Sequence, residues 1–281
     1  MMATIKRQAV LLLRRWPAVR KIAKKTVLLI FGQRGINYVN SLLSDRRSAR
    51  KYGTIPIYYI YGFHKKIRLE SSVSGFSELA GRIIDEGRTY LHYDRLYTLW
   101  QALEGVTRES IVIEIGTYKG GSARFLHDSL RLLGKSNHLY VCDTFKGHPV
   151  VEESVDGEHK VNEDFSDVSL EEVEAYLSKC VNLEIVVGNI METASKIPDQ
   201  SIGFMHIDVD VYPATRFCLE CFCPRLINGG VVVIDDYGFL TCKGAKIAVD
   251  EYVSAHPEFR FFHLTTGQAV LVRWSNSSTK E

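Results

Sequence analysis

Three aspartates fall where apolar runs end: Asp208 in "FMHIDVDVY", and Asp235 and Asp236 in "GGVVVIDDY". Neighbouring strands of a parallel sheet lie about 5 Å apart, so side chains at adjacent strand ends converge. Carboxylates gathered at one rim repel each other, and a hard divalent cation with oxygen ligands relieves that repulsion most simply. Mg2+ suits this donor set best. Asp210 stands two residues beyond Asp208. In an unbroken strand both would point to the same side, so the pair implies a cation or a break in the strand. Taken singly, Asp236 reads as a turn former and Asp210 as a cap for the helix ahead of Pro213. It is the set that points to a metal.

A second group of residues suits a different ligand. The run "VIEIGTYKGGSARF" places Gly116, Gly120 and Gly121 between a strand and a helix. There the backbone turns tightly, and the helix presents its N-terminal amides to an anion. The next strand ends in "YVCD", which puts Asp143 where an acid accepts hydrogen bonds from a ribose diol. Glycine turn followed by strand-end acid suits an adenosine-containing ligand. The spacing G-x-x-x-G-G departs from the dinucleotide fingerprint G-x-G-x-x-G, which disfavours a nicotinamide-dependent oxidoreductase.

The elements that must position these residues alternate along the chain. From Ile111, short apolar strands ("IVIEIG", "HLYVCD", "LEIVVGN", "SIGFMHID", "GGVVVIDDY") are separated by helical runs, among them "GGSARFLHDSLRLLG", "SLEEVEAYLSKC", "PATRFCLECFCPRLI" and "AKIAVDEYVSAH". Ser169 with Glu172 three residues on predicts a capping box. Upstream, Leu96, Leu99 and Trp100 share one face of a helix leading into this region. The ending "FRFFHLTTGQAVLVRW" reads as two strands about a Thr-Gly turn. Together these predict an α/β, doubly wound, mostly parallel sheet with an antiparallel edge, its ligands at the carboxyl ends of the strands.

The polar, acidic stretch 145–169 reads by itself as a solvated loop, and its place after the strand-end acid favours a mobile lid over the site. Within it His148 and His159 are candidates for substrate contact. His206 lies inside a strand and reads as a packing residue, and His263 has no assignable role.

The chain has 281 residues, with 35 Lys and Arg, 33 Asp and Glu, and a net charge of +2. That balance hides an asymmetry, since residues 1–70 carry sixteen bases against two acids. The division expected is a basic, helical N-terminal extension over 1–72 and a catalytic domain over 73–281. A basic segment beside an acidic body suits docking on an anionic membrane surface, or subunit contact in a homo-oligomer; no nucleic-acid partner is expected. The six cysteines are irregularly spaced, and Cys218, Cys221 and Cys223 read as small buried hydrophobes rather than metal ligands. A reducing, cytoplasmic setting is expected, with the basic segment suited to the inner face of the membrane, and neither a secretory signal nor a membrane-spanning run is expected.

The segments "VIEIGTYKGGSARF", "VCDTFKGHP", "DFSDVSLEEV", "HIDVDVYPAT", "PRLINGGVVVIDDYG" and "GAKIAVDEY" resemble, in that order, the macrocin (TylF-type) O-methyltransferases. The resemblance covers about residues 75 to 270 and is most specific at "HIDVD" and "DDYG". It implies the Rossmann-like class I methyltransferase fold, with S-adenosylmethionine and Mg2+ as cofactors. It places Glu114, Gly116, Gly120, Gly121 and Ser122 around the methionine end of the cofactor and Asp143 at the ribose. Asp208, Asp235 and Asp236 match the metal ligands, and Asp210 matches the general base. The activity implied is methylation of a sugar hydroxyl on a small-molecule natural product or a glycan. A catechol or phenolic acceptor is the alternative within the same chemistry, and a membrane-associated binding protein with a silent methyltransferase fold is the non-enzymatic one.

Overall fold

The computed structural model describes residues 73–274. The expected basic helices, and with them the membrane or subunit contacts placed on residues 1–72, lie outside the described residues. Two helices come first, α1 (Phe76–Asp85) and α2 (Tyr93–Glu104). The alternating part follows as β1 (Ile111–Ile115), α3 (Gly121–Leu132), β2 (Leu139–Asp143), α4 (Leu170–Leu177) and β3 (Leu183–Val187). It continues with α5 (Ile190–Thr193), β4 (Ile202–Ile207), α6 (Tyr212–Phe222), β5 (Leu226–Ile234), α7 (Lys243–Ala255), β6 (Phe259–His263) and β7 (Ala269–Arg273).

The strands form one seven-stranded sheet in the order β3-β2-β1-β4-β5-β7-β6. The first five in that order pair in parallel, while β7 is antiparallel to both β5 and β6. This is the doubly wound sheet with an antiparallel edge that the strand-helix alternation predicts. Its strand order reverses between β1 and β4, so their carboxyl ends open the crevice where such sheets take ligands.

Period-two alternation sends successive side chains to opposite layers. Ile111, Ile113 and Ile115 share a core with Cys218, Leu219 and Phe222 of α6 and Val249 of α7. Val112, Val141, Phe204 and Val233 share the other with Leu96 and Trp100 of α2 and Phe125 of α3. There Phe76 packs edge-on against Tyr97, Trp100 and Phe125, with ring centroids 5.0 to 6.3 Å away. All six cysteines are free; Cys218 and Cys223 are buried and Cys221 partly so, as small hydrophobes are. Among the described residues, no helix is long and apolar enough to cross a membrane.

Two local departures have plain causes. The run "PATRFCLECFCPRLI" is not one helix: α6 ends at Phe222, and a 3-10 turn over Cys223–Arg225 leads into β5, which starts at Leu226. Pro224 lacks the amide that a continuing helix needs, and its ring clashes with the preceding turn. The short helix α5 was not expected. Asn189 caps it, its Oδ1 accepting from the Met191 amide at 3.1 Å. One half of the predicted capping box is present, Ser169 Oγ accepting from the Glu172 amide at 3.3 Å, and the same hydroxyl donates to Glu171 Oε2 at 2.8 Å.

On α3, His127 Nδ1 lies 2.8 Å from Asp128 Oδ1, and Arg124 Nε donates to Asp128 Oδ2 at 2.9 Å. The bond to Asp128, helped by Cys180, raises the His127 pKa from 6.5 to about 9 against the opposing effect of burial. A folded value above the unfolded one means that protonation favours the fold. The contribution is whole below pH 6.5 and is lost as pH rises through about 9. The stability gap between wild type and His127→Gln, measured by urea unfolding, is expected to narrow over that window. A gap that stays constant across it refutes the assignment.

Candidate active site

A cavity of about 450 Å3 opens at the carboxyl ends of β1, β2 and β4, within the usual range for small-molecule sites. One wall is the glycine turn. Gly116 adopts φ +87°, and a Cβ there would stand 1.8 Å from the Asp208 carbonyl oxygen, so only glycine lets β1 and β4 approach this closely. Gly120, at φ +82°, precedes α3, whose first turn begins at Gly121 and Ser122. A Cβ at Gly121 would meet the Arg88 backbone at 2.6 Å, so its bareness serves packing against the segment after α1.

Gly116, Ser122 and Asp143 line the cavity, whereas Glu114, Gly120 and Gly121 do not. Asp143 spends most of its acceptor capacity on the backbone. Its Oδ2 accepts from the Thr117 and Tyr118 amides, both at 2.8 Å, and its Oδ1 from the Phe145 amide at 2.7 Å. The carboxylate thus pins the glycine turn and the start of the lid to β2, and has lone-pair room left for one further donor.

The opposite wall is acidic. The Asp208 amide donates to the Ile115 carbonyl at 2.8 Å and the Asp235 amide to the Ile207 carbonyl at 2.9 Å, extending the parallel ladders one residue past the strands. This fixes the acids at the rim. Carboxylate oxygens of Asp208, Asp235 and Asp236 all lie within 4.8 Å of one another. Asp210 follows at φ +60°, its amide donating to Asp236 Oδ2 at 3.1 Å. The left-handed turn follows the end of β4 at Ile207, and the Asp210 carboxylate stays within electrostatic reach of Asp208. It does not cap α6; its Oδ1 accepts from the Cys242 thiol at 3.3 Å. The cap role falls to Asp156 of the lid, buried, whose oxygens accept from the Tyr212 amide at 3.0 and 3.1 Å.

Beneath the rim runs a row of alternating charge that sequence reasoning missed. Glu114 and His206 are register partners on β1 and β4, with His206 Nδ1 3.1 Å from Glu114 Oε1. His206 Nε2 is 3.9 Å from Asp235 Oδ1, Gln268 Nε2 donates to that same oxygen at 2.8 Å, and the Arg95 guanidinium of α2 pairs with Asp235 Oδ2. Burial alone would keep His206 neutral, but Asp235 and Glu114 raise it to about 10, so it stands as an imidazolium. Two ionisable residues at matching depth in apolar strands were the available signal for His206. For Arg95 there was none.

The acids therefore differ. Burial would raise Asp235, yet His206, Arg95 and Gln268 outweigh it and hold the carboxylate below its ordinary range. Burial and then Asp235 and Asp236 push Asp208 well up; burial and then Asp210 and Asp235 do the same to Asp236. Burial and then Asp208 raise Asp210 to about 7. Two crowded carboxylates without a cation of their own, in an all-oxygen donor set, fit a hard divalent ion.

Segment 145–169, expected as a lid, contains no helix or strand and lines the cavity through Gly147, His148, Pro149 and Phe165. Tyr90 and Tyr118 stack with ring centroids 5.7 Å apart, and Phe165 meets both edge-on at 6.4 and 5.5 Å, giving the cavity an aromatic lip. His148 Nε2 lies 3.6 Å from Asp210 Oδ2; burial and then the neighbouring His159 lower its pKa to about 4. His263 packs against Tyr237 at 4.8 Å and does not line the cavity.

Comparison with known proteins gives this arrangement its kin. The chain is 31% identical over 170 residues to the 8-demethyl-8-(2,3-dimethoxy-alpha-L-rhamnosyl)-tetracenomycin-C 4'-O-methyltransferase of Streptomyces olivaceus, a match taking in 56% of this chain and 65% of that one. It is 29% identical over 183 residues to the mycinamicin III 3''-O-methyltransferase of Micromonospora griseorubida, covering 60% of this chain and 71% of the relative. The chain thus spans a little under two thirds of the length of the first of these relatives. In fold it is similar to the solved O-methyltransferase NovP, with a TM-score of 0.59 at 24% identity over 67% of this chain and 83% of that one. The family model of macrocin-O-methyltransferase (TylF) matches residues 84–258, a span that runs from α1 through the glycine turn and the acidic rim to the end of α7, and the chain belongs to that family.

Proposed function

We propose that this chain transfers a methyl group from S-adenosylmethionine to a sugar hydroxyl of a glycosylated natural product or glycan, with Mg2+ held by Asp208, Asp235 and Asp236 and with Asp210 as general base. The observation that carries this reading is the meeting, in one cavity, of a glycine turn with the carboxylates of Asp208, Asp236 and Asp210, the first two crowded against Asp235 just beneath the rim. The sugar as acceptor rests on the relatives, whose names place their methylations on glycosylated compounds. The aromatic lip of Tyr90, Tyr118 and Phe165 adds support, since such faces pack against the apolar face of a sugar ring.

In this mechanism each residue does defined work. The turn at Gly116 and the first turn of α3 at Ser122 offer backbone amides and a positive helix end to the carboxylate of the cofactor's methionine part. Asn189 and the remaining acceptor site of Asp143 face the same cavity and suit its adenosine part. S-adenosylmethionine supplies an electrophilic methyl on a sulfonium. Mg2+ supplies a hard Lewis acid that makes a hydroxyl more acidic and fixes its direction. Arg95, His206 and Gln268 hold the Asp235 carboxylate ionised and in one orientation, ready as a ligand. Asp210 would take the hydroxyl proton onto a carboxylate oxygen, while S-adenosylmethionine would supply the methyl group and the sulfur leaving group. Burial, the larger of the two causes that raise Asp210, would persist with Mg2+ bound and strengthen it as a base. The lid, latched by Asp156 onto the Tyr212 amide, excludes water from the cavity.

The test is a methylation assay with S-adenosylmethionine, comparing rhamnosides and other deoxysugar glycosides with catechols. Methyl transfer to glycosides, abolished by EDTA and restored by Mg2+, is expected. An unchanged rate after chelation removes the metal from the reading, and a preference for catechols replaces the sugar with a phenolic diol.

A further inference from the structure

The lid carries metal-binding chemistry that the proposed reaction does not use. Ligand atoms of His148, His159 and Asp164 lie within 4.8 Å of one another, and so do those of His159, Asp210 and Cys242. His159 Nδ1 is 3.6 Å from Asp164 Oδ2 and His148 Nε2 is 3.6 Å from Asp210 Oδ2, while the two rings meet edge-on at 5.2 Å. His148 is only 7% exposed. Its Nε2, and that of His159, are buried without a hydrogen-bond partner. A buried polar atom left unsatisfied costs about 1–3 kcal/mol. Two such atoms side by side, next to two carboxylates, are hard to explain as packing alone.

We propose that His148, His159 and Asp164 of the lid, together with Asp210 of the core, form a second metal site for a borderline divalent ion of the Zn2+ type, whose binding clasps the lid to the core and takes Asp210 out of its role as base. Donor softness separates the two sites. Imidazoles select Zn2+ and its neighbours, whereas the all-oxygen rim of Asp208, Asp235 and Asp236 selects Mg2+. Bonds of about 2.0–2.1 Å to a tetrahedral ion set ligand atoms roughly 3.3 Å apart. The His159–Asp164 and His148–Asp210 pairs stand at 3.6 Å, the other ligand atoms of the His148, His159 and Asp164 group lie within 4.8 Å of one another, and closing on an ion would draw Asp210 in through its contact with His148. The ligands are also held in place beforehand. Gly147 turns at φ +80° where a Cβ would meet the Asp164 carbonyl at 2.3 Å, and the Asn162 amide donates to the His148 carbonyl at 2.9 Å, which brings the two halves of the lid together. The His148 ring is already unprotonated at neutral pH, as a ligand must be.

Binding by these residues is independent of the proposed reaction; only the loss of Asp210 as base rests on it, and the two are read separately. Zn2+ is titrated calorimetrically into the full chain with Mg2+ in millimolar excess to fill the hard site. One Zn2+ per chain is expected, weakened about 10- to 100-fold in His148→Ala and in His159→Gln and unchanged in Asp235→Asn. Co2+ in place of Zn2+ on the wild type should give the strong visible bands of a four-coordinate ion, a readout that stands even if a variant fails to fold. Absence of Zn2+ binding under excess Mg2+, equal affinity in the histidine variants, or the pale spectrum of six-coordinate Co2+ each overturns the site. Zn2+ that binds there but leaves methyl transfer unslowed overturns the inhibitory consequence.

Discussion

Asp210→Asn is expected to lower kcat by about 10^2- to 10^4-fold, the usual worth of a positioned general base, while S-adenosylmethionine binding, read by calorimetry, stays within about twofold. The substitution keeps the shape of the side chain, including an oxygen that can still accept from the Cys242 thiol. It leaves the Asp210 amide free to go on donating to Asp236 Oδ2. What it removes is the site that takes the proton. Without a cation, burial and the neighbouring Asp208 raise Asp210 to about 7; Mg2+ on Asp208 would offset the second of these causes, so the acid limb of the activity profile is expected below that value, as the base becomes protonated. That limb should be absent from the residual activity of the variant. A rate within about fivefold of wild type, with the limb intact, assigns the proton to another acceptor and leaves Asp210 as a shaping residue of the turn.

Much of this site could be read in the sequence because its residues sit at the boundaries of strongly patterned elements. Apolar runs ending in Asp143, Asp208 and Asp235 announce strand ends, and a parallel sheet brings such ends together whatever the details of packing. The glycine turn is visible for the same reason, as a break between a strand and a helix. The partners that set the charge of each acid are another matter. Arg95 precedes Asp235 by 140 residues and meets it through the docking of α2 on the sheet, a contact that no local spacing encodes. His206 reads as one more strand residue until the β1/β4 register sets it beside Glu114, and only then does its charge follow. Glu114 itself, assigned to the cofactor by resemblance, is buried beside His206 and does not line the cavity. The lid shows the same limit. Its composition identifies a polar loop, but the burial of Asp156 depends on α7 making room; at Gly244 of α7 a Cβ would stand 1.7 Å from Asp156 Oδ1.

The most disruptive single change predicted at the site is Gly116→Ala. A left-handed backbone costs a residue with a Cβ about 1–2 kcal/mol, and forced overpacking typically adds about 1–3 kcal/mol. At this position the second effect should lie at the top of its range. The new Cβ would stand 1.8 Å from the Asp208 carbonyl oxygen and 2.7 Å from its carbon, so the clash is with backbone and no rotamer relieves it. The end of β4 has to move, which strains the bond from the Asp208 amide to the Ile115 carbonyl and displaces Asp208 from Asp235 and Asp236. A loss of about 3–5 kcal/mol in urea unfolding is expected, together with loss of both cofactor binding and activity. Gly134→Ala provides the control. It shares the left-handed backbone, at φ +69°, but has nothing within 4 Å of the added carbon, so it should show only the conformational part, about 1–2 kcal/mol. If the two variants are equally destabilised, the close approach of β1 to β4 contributes nothing beyond backbone conformation. If Gly116→Ala still binds S-adenosylmethionine as the wild type does, the glycine turn is not where the cofactor lies.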